Sequence, residues 1–132
     1  MQFKKVLLVD DEPLVRRSLE KTLLRAGYQT ETAGSALEGI GLFLKNNLTD
    51  SPFDLVILDI NMPNFEGIEK QGAGLDLLSE IKAHNPDIPV VMLTAFDEVN
   101  KAKEAVSRGA LAYIVKGREQ NLISLLNETL GE

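Results

Sequence analysis

The chain has no cysteine and no tryptophan, only one histidine, and 5% aromatic residues in 132. Without cysteine there are no disulfides and no thiolate metal ligands. No apolar run approaches the ~18 residues that would suggest a bilayer-spanning helix, and no segment has the pattern of a secretory leader. A soluble cytoplasmic protein without membrane attachment is the resulting expectation. Basic residues are also short: 14 Lys and Arg face 20 Asp and Glu, for a net charge of −6. That balance argues against direct nucleic-acid binding, which needs a basic surface. No linker, repeat or low-complexity stretch divides the chain. Its length suits one domain with a full core. A single domain over residues 1–132, with no output domain on this chain, is therefore expected.

What the sequence does have is a regular alternation of short apolar runs and amphipathic stretches. Phe3 to Val9 reads as a strand. Pro13 to Ala26 reads as a helix, with Leu14, Val15, Leu19 and Leu23 at helical spacing and Gly27 as a stop. Gln29 to Ala33 suits a short polar edge strand. Ser35 is placed to cap a helix running to about Lys45, with Leu37, Ile40 and Leu44 as its buried stripe. A loop from Asn46 to Phe53 precedes a strand at Leu55 to Leu58, and a long connection spans Asn61 to Gly74. A helix from about Leu75 to Ala83 turns Leu75, Leu78 and Ile81 inward. Val90 to Thr94 reads as a buried strand. Asp97 can cap a helix with Val99, Ala102, Ala105 and Val106 on one face, closed by Gly109. Ala112 to Val115 makes the last strand, and Leu122, Ile123, Leu125, Leu126 and Leu130 form the apolar face of a final helix. Five strands alternating with five helices imply an α/β fold with a parallel sheet covered on both faces.

Two of the apolar runs end in acids. Val6 to Val9 leads into Asp10, Asp11 and Glu12, and Leu55 to Leu58 leads into Asp59. A carboxylate at the end of a buried strand costs free energy unless its desolvation is offset. In an open α/β sheet, ligands bind beyond the carboxyl ends of the strands. A flavodoxin-like order 2-1-3-4-5 makes the first and third strands neighbours. Three carboxylates then share one rim with Thr94 and Lys116, which end the fourth and fifth strands. Such carboxylates repel, and one holds a proton unless a cation is present. Mg²⁺, a hard ion that prefers oxygen ligands, resolves the repulsion, with Mn²⁺ as an alternative. Carboxylates, metal, ammonium and hydroxyl together make a receptor for a phosphoryl group.

Four segments, LLVDDEP, LVILDINMPNFEG, VMLTA and AYIVKG, stand in this order at the strand ends. With them the chain resembles a receiver domain of two-component response regulators over nearly its whole length. The resemblance implies that Asp59 is the phosphoacceptor, taking a phosphoryl group from the phosphohistidine of a histidine kinase or phosphotransfer protein. It implies that Asp11, Asp59 and the backbone carbonyl of Asn61 ligate the metal, with Asp10 acting through a water. Lys116 would pair with phosphoryl oxygens, and Thr94 would donate a hydrogen bond to one. Thr94 and Tyr113 would form the switch, with small Ala95 beside the phosphate. Phosphorylation would then remodel the surface of the fourth helix, fifth strand and fifth helix, through which a protein target binds or a second copy associates. Autocatalysed phosphorylation and acyl-phosphate hydrolysis would be its only chemistry, so it is not a conventional enzyme.

Three features depart from the family pattern. Ile68 to Gly74 reads as an insertion after the glycine matching Gly67, beside the phosphorylation site; it is either a flap or a tolerated loop. Gly117 stands where a proline usually follows the lysine. Phe96, with Asn61, occupies a position near the line of water attack and is read as modulating hydrolysis.

Each residue also has an ordinary reading. Asp11 can be only a helix cap, Asp59 a turn residue, Thr94 a strand residue, Lys116 a solvated lysine and Tyr113 core. A receiver-like interaction module that takes no phosphate stays open. An aspartyl-nucleophile phosphohydrolase is weaker, because such enzymes carry a second acid two residues after the nucleophile and this chain has Asn61. No GxxxxGK loop supports a nucleotidase. His84, at a helix end, is read as neither ligand nor phosphodonor.

Overall fold

The apolar runs do become strands buried on both faces. The protein is described here by a computed structural model covering residues 4–63, 69–70, 73–95 and 98–131. Strand β1 (Lys5–Val9) pairs in parallel with β2 (Gln29–Ala33) and β3 (Leu55–Asp59). A short antiparallel ribbon, β4 (Met62–Pro63) with β5 (Glu69–Lys70), follows β3. Strands β6 (Val90–Thr94) and β7 (Ala112–Val115) complete the main sheet. Its order is β2-β1-β3-β6-β7, all parallel. Leaving out the ribbon, this is the expected flavodoxin-like order 2-1-3-4-5.

Successive residues of each inner strand serve opposite cores. Leu7, Val9, Val56, Leu58, Val90 and Met92 face α2 (Ala36–Asn47), α3 (Ala73–His84) and α4 (Val99–Ser107). Val6, Leu8, Leu55, Ile57, Val91 and Leu93 face α1 (Pro13–Arg25) and α5 (Glu119–Leu130). Each such side chain, fully withdrawn from water, contributes about 1.5–3 kcal/mol before entropic costs. Among the described residues, no helix is long and apolar enough to cross a membrane.

Several sequence expectations shift. The buried face of α2 is Ala36, Gly39, Phe43 and Asn46, while Leu37 and Leu44 are exposed. Gly39 sits at the closest approach to Val9 and Leu77, so the helix turns its smallest residue inward and its leucines outward. Leu14 on α1 and Val106 on α4 are likewise exposed, leaving Leu19 and Leu23, and Ala102 and Ala105, to pack. Asn46, expected in a loop, lies within α2 and accepts a hydrogen bond from the Lys5 ammonium. Ser35 does cap α2, accepting from the Glu38 amide at 3.2 Å. The N-cap of α4 is Glu98; Asp97 lies outside the described residues, as does Phe3.

The Asn61 to Gly74 connection contains the β4–β5 ribbon, and α3 starts at Ala73 rather than Leu75. Gly74 therefore lies in the first turn of the helix. Gly67, Ile68, Gln71 and Gly72 lie outside the described residues.

Candidate functional site

Strand register brings the acids together. Val9 pairs with Leu58, so the next residues, Asp10 and Asp59, emerge side by side. Asp59 pairs with Leu93 and Thr94 with Val115, which sets Thr94 and Lys116 one step further along the same rim. Asp10, Asp11, Glu12 and Asp59 each offer a carboxylate oxygen, all within 4.8 Å of one another. Lys116 reaches this group from the far side of the sheet. Its ammonium is 3.1 Å from Asp59 Oδ2, 3.3 Å from Asp10 Oδ2 and 2.5 Å from Glu12 Oε1.

Local structure fixes the carboxylates unequally. Asp10 is fully buried. Its Oδ1 accepts from the Glu12 amide at 2.8 Å, holding the turn into α1, and its backbone carbonyl accepts from Arg16 Nη1 at 2.6 Å. Asp10 thus braces the amide of the residue that precedes α1, in an Asx-type turn. The N-cap residue of α1 is Glu12, whose side chain makes no capping bond. Asp59 is 4% exposed, and Asp11 is half-buried.

Burial pushes the Asp59 carboxyl up to about 8, and the Asp10 charge adds to this against the opposing pull of Lys116. Burial likewise raises Asp10 above the usual carboxylate range. Burial works to lower Lys116. The Glu12 hydrogen bond and the charges of Asp59 and Asp10 outweigh it and hold the ammonium above its ordinary value.

The donor set fits a small divalent cation. All its atoms are hard oxygens, and three of the four carboxylates lie at least partly out of water. Asp10 Oδ2 is buried, lies 3.3 Å from Lys116, and has no hydrogen-bond partner among the described residues. A buried anionic oxygen without a donor is an electrostatic cost that a cation relieves.

The remaining expected residues occupy varied settings. The Thr94 hydroxyl is buried and donates to the Ala95 carbonyl at 3.0 Å, turned to its own backbone rather than to Asp59. Tyr113, opposite Met92, is half-buried against the core that contains Ala102 and Ala105 of α4. Asn61 is half-buried, two residues past the end of Asp59's strand. Gly117 takes the left-handed conformation, φ +94°, directly after Lys116. Phe96 lies outside the described residues. His84 ends α3 with its ring 3.4 Å from Glu80, away from this rim.

Three residues around the site were not assigned from sequence. Glu12 contacts Lys116, and Arg16 supports the Asp10 backbone. Gly74 donates to the Ile60 carbonyl at 2.7 Å, and a Cβ there would overlap the Asp59 carbonyl oxygen. The third acid of VDDEP and the last glycine of GAG were the available signals. Neither reveals its partner without the fold.

Comparison with known proteins agrees with this geometry. The family model described as response regulator receiver domain matches residues 6–127. The response regulator protein PilR of Pseudomonas aeruginosa is 35% identical over 128 residues, covering 94% of this chain and 26% of PilR. The regulatory protein AtoC of Escherichia coli is 33% identical over 92% of this chain and 24% of its own length. The chain thus spans about a quarter of the length of these curated relatives. Among solved structures, a receiver domain protein from Clostridium thermocellum superposes with a TM-score of 0.84 at 32% identity, covering 98% of this chain and 95% of that one. The response regulator protein TrrA of Thermotoga maritima, described in complex with Mg²⁺ and BeF, gives 0.79 at 33% identity over 96% and 99% of the two chains. With the acidic rim at the strand ends and this match over most of its length, the chain belongs to the response regulator receiver domain family.

Proposed function

We propose that this domain is a phosphorylation-dependent signalling switch whose phosphoacceptor is Asp59. The single observation that carries the reading is the convergence of Asp10, Asp11, Asp59 and Lys116 on one rim. The phosphoryl group comes from the phosphohistidine of a histidine kinase or phosphotransfer protein, and a cytoplasmic location fits that donor. Asp11, Asp59 and the Asn61 carbonyl would hold Mg²⁺, or Mn²⁺ in its place, with Asp10 reached through a water. The bound ion would neutralise charge on the phosphoryl oxygens.

The chain's own residues supply the rest. An Asp59 carboxylate oxygen attacks phosphorus in line, and the bond from phosphorus to the donor nitrogen breaks. Lys116, already 3.1 Å from Asp59, moves onto an equatorial oxygen as charge spreads there. The Thr94 hydroxyl gives up the Ala95 carbonyl for another. That displacement opens space towards Tyr113, which turns inward and remodels the α4–β7–α5 surface. Shifting a 1:99 population to 99:1 takes about 5.5 kcal/mol, within reach of a few charge-assisted hydrogen bonds. A protein target or a second copy then reads the changed surface. Water later attacks phosphorus, releases phosphate and restores Asp59, with Asn61 and Phe96 tuning that rate.

Incubation with acetyl phosphate and Mg²⁺, followed by intact mass measurement, tests the reading. The expected result is a gain of one phosphoryl group that is lost in Asp59→Asn. No gain in the wild-type chain would leave only a passive interaction module.

A further inference from the structure

Lys116 has three acceptors, and the nearest is not the phosphoacceptor. Its ammonium is 2.5 Å from Glu12 Oε1, against 3.1 Å from Asp59 and 3.3 Å from Asp10. The Glu12 contact joins the start of α1 to the end of β7, 104 residues away. The two partners differ in setting. The Lys116 side chain is 19% exposed, whereas that of Glu12 is 57% exposed and performs no capping role. Glu12 can therefore leave the contact at little cost, since water takes it up. Asp10 cannot, because its carboxylate is buried and committed through Oδ1 to the Glu12 amide.

Gly117 follows Lys116 in the left-handed conformation, and a Cβ there would have no neighbour within 4 Å. The backbone carrying the ammonium thus turns through an exposed residue whose Cβ position is open.

From this geometry we infer that Glu12 is a latch on Lys116: a positioning residue that holds the ammonium at the mouth of the site and slows its transfer to an incoming phosphoryl group. The consequence for rate rests on the phosphoacceptor reading; the latch itself rests only on the contact. While Glu12 holds Lys116, a donor must displace a carboxylate from the lysine before the lysine can take charge from phosphorus. Without the latch, Lys116 has one carboxylate fewer to leave, being held only by Asp59 and Asp10 inside the site. Asp10 and Asp59 are the other charges that face it.

Glu12→Gln and Glu12→Asp separate a latch from a simple charge. Gln removes the charge; Asp keeps it one methylene too short to span the contact. At saturating Mg²⁺, phosphorylation by acetyl phosphate is expected to be several-fold faster than wild type in both variants. In metal-free protein, the Lys116 side-chain NMR signal is expected to move in the same direction in both variants. An Asp variant that matches wild type in rate and in the Lys116 signal overturns the latch and leaves a charge effect. A rate at or below wild type in both variants at saturating Mg²⁺ overturns it as well. If the wild-type chain accepts no phosphoryl group, the phosphoacceptor reading falls, and the metal-free Lys116 signal alone still decides the latch.

Discussion

Gly74 lies directly against the backbone that carries Asp59. Its amide donates to the Ile60 carbonyl at 2.7 Å, and a Cβ there would overlap the Asp59 carbonyl oxygen and stand 2.8 Å from Ile60 Cα. The neighbours are main-chain atoms, so no rotamer change can make room. The first turn of α3 is thereby pressed onto the end of β3, immediately behind the Asp59 carboxylate. Gly74→Ala is expected to lower stability by about 2–3 kcal/mol through overpacking, measured by urea unfolding. It should also displace Asp59 and weaken Mg²⁺ binding. Wild-type stability and affinity in this variant would show that α3 is not seated as described.

Proton and metal compete for the rim. Asp59 is pushed up to about 8, so near pH 7 a bound cation must displace a proton. Mg²⁺ affinity should rise with pH between 6.5 and 8.5, by up to about tenfold per unit for one displaced proton, and flatten above that. Calorimetry in two buffers of different ionisation enthalpy should reveal proton release. A flat affinity profile would mean that Asp59 is already ionised.

The same displacement has a stability signature in metal-free protein. The folded Asp59 binds its proton more tightly than the unfolded one, whose value is near 3.8. Its contribution is fully present below that value and is lost progressively as pH rises from there to about 8. Asp59→Asn cannot titrate. In EDTA the two should be most alike below pH 3.8, and the variant should become progressively the more stable as pH rises to about 8. The reverse order at high pH would indicate that Lys116 more than offsets the desolvation.

Lys116 contacts both the Asp59 and the Asp10 carboxylate, at 3.1 and 3.3 Å. Lys116→Gln should reduce the acetyl phosphate reaction by about 10²-fold, the cost of one preorganised donor at a charge-developing oxygen. Time-resolved intact mass measurement checks this. A loss below threefold would mean that the contact does not persist in the reacting complex.

Gly117, at φ +94°, sets the exit from β7. Alanine there should cost about 1 kcal/mol of backbone strain and leave phosphorylation nearly intact. Proline, fixed near −65°, cannot keep this turn and should re-aim Lys116, slowing phosphorylation as well. Equal effects of the two substitutions would place the strain elsewhere.

What the sequence by itself determined was the set of elements and the chemistry at their ends. Runs such as Leu55 to Leu58 are apolar on both faces, so their strand character and parallel pairing follow from local pattern. Asp10, Asp11 and Asp59 stand at strand ends as written in the chain. Only the tertiary structure decided what depends on rotation and reach. The face of α2 is chosen by where Gly39 meets Val9, not by where its leucines fall. The glycine needed behind Asp59 is Gly74, a choice set by helix docking and invisible in GAG. Lys116 spends its shortest contact on Glu12, because long side chains from opposite ends of the chain meet only after the sheet has fixed their separation. Local pattern is written in neighbours along the chain; packing and ion pairing are written in distances that the chain acquires only on folding.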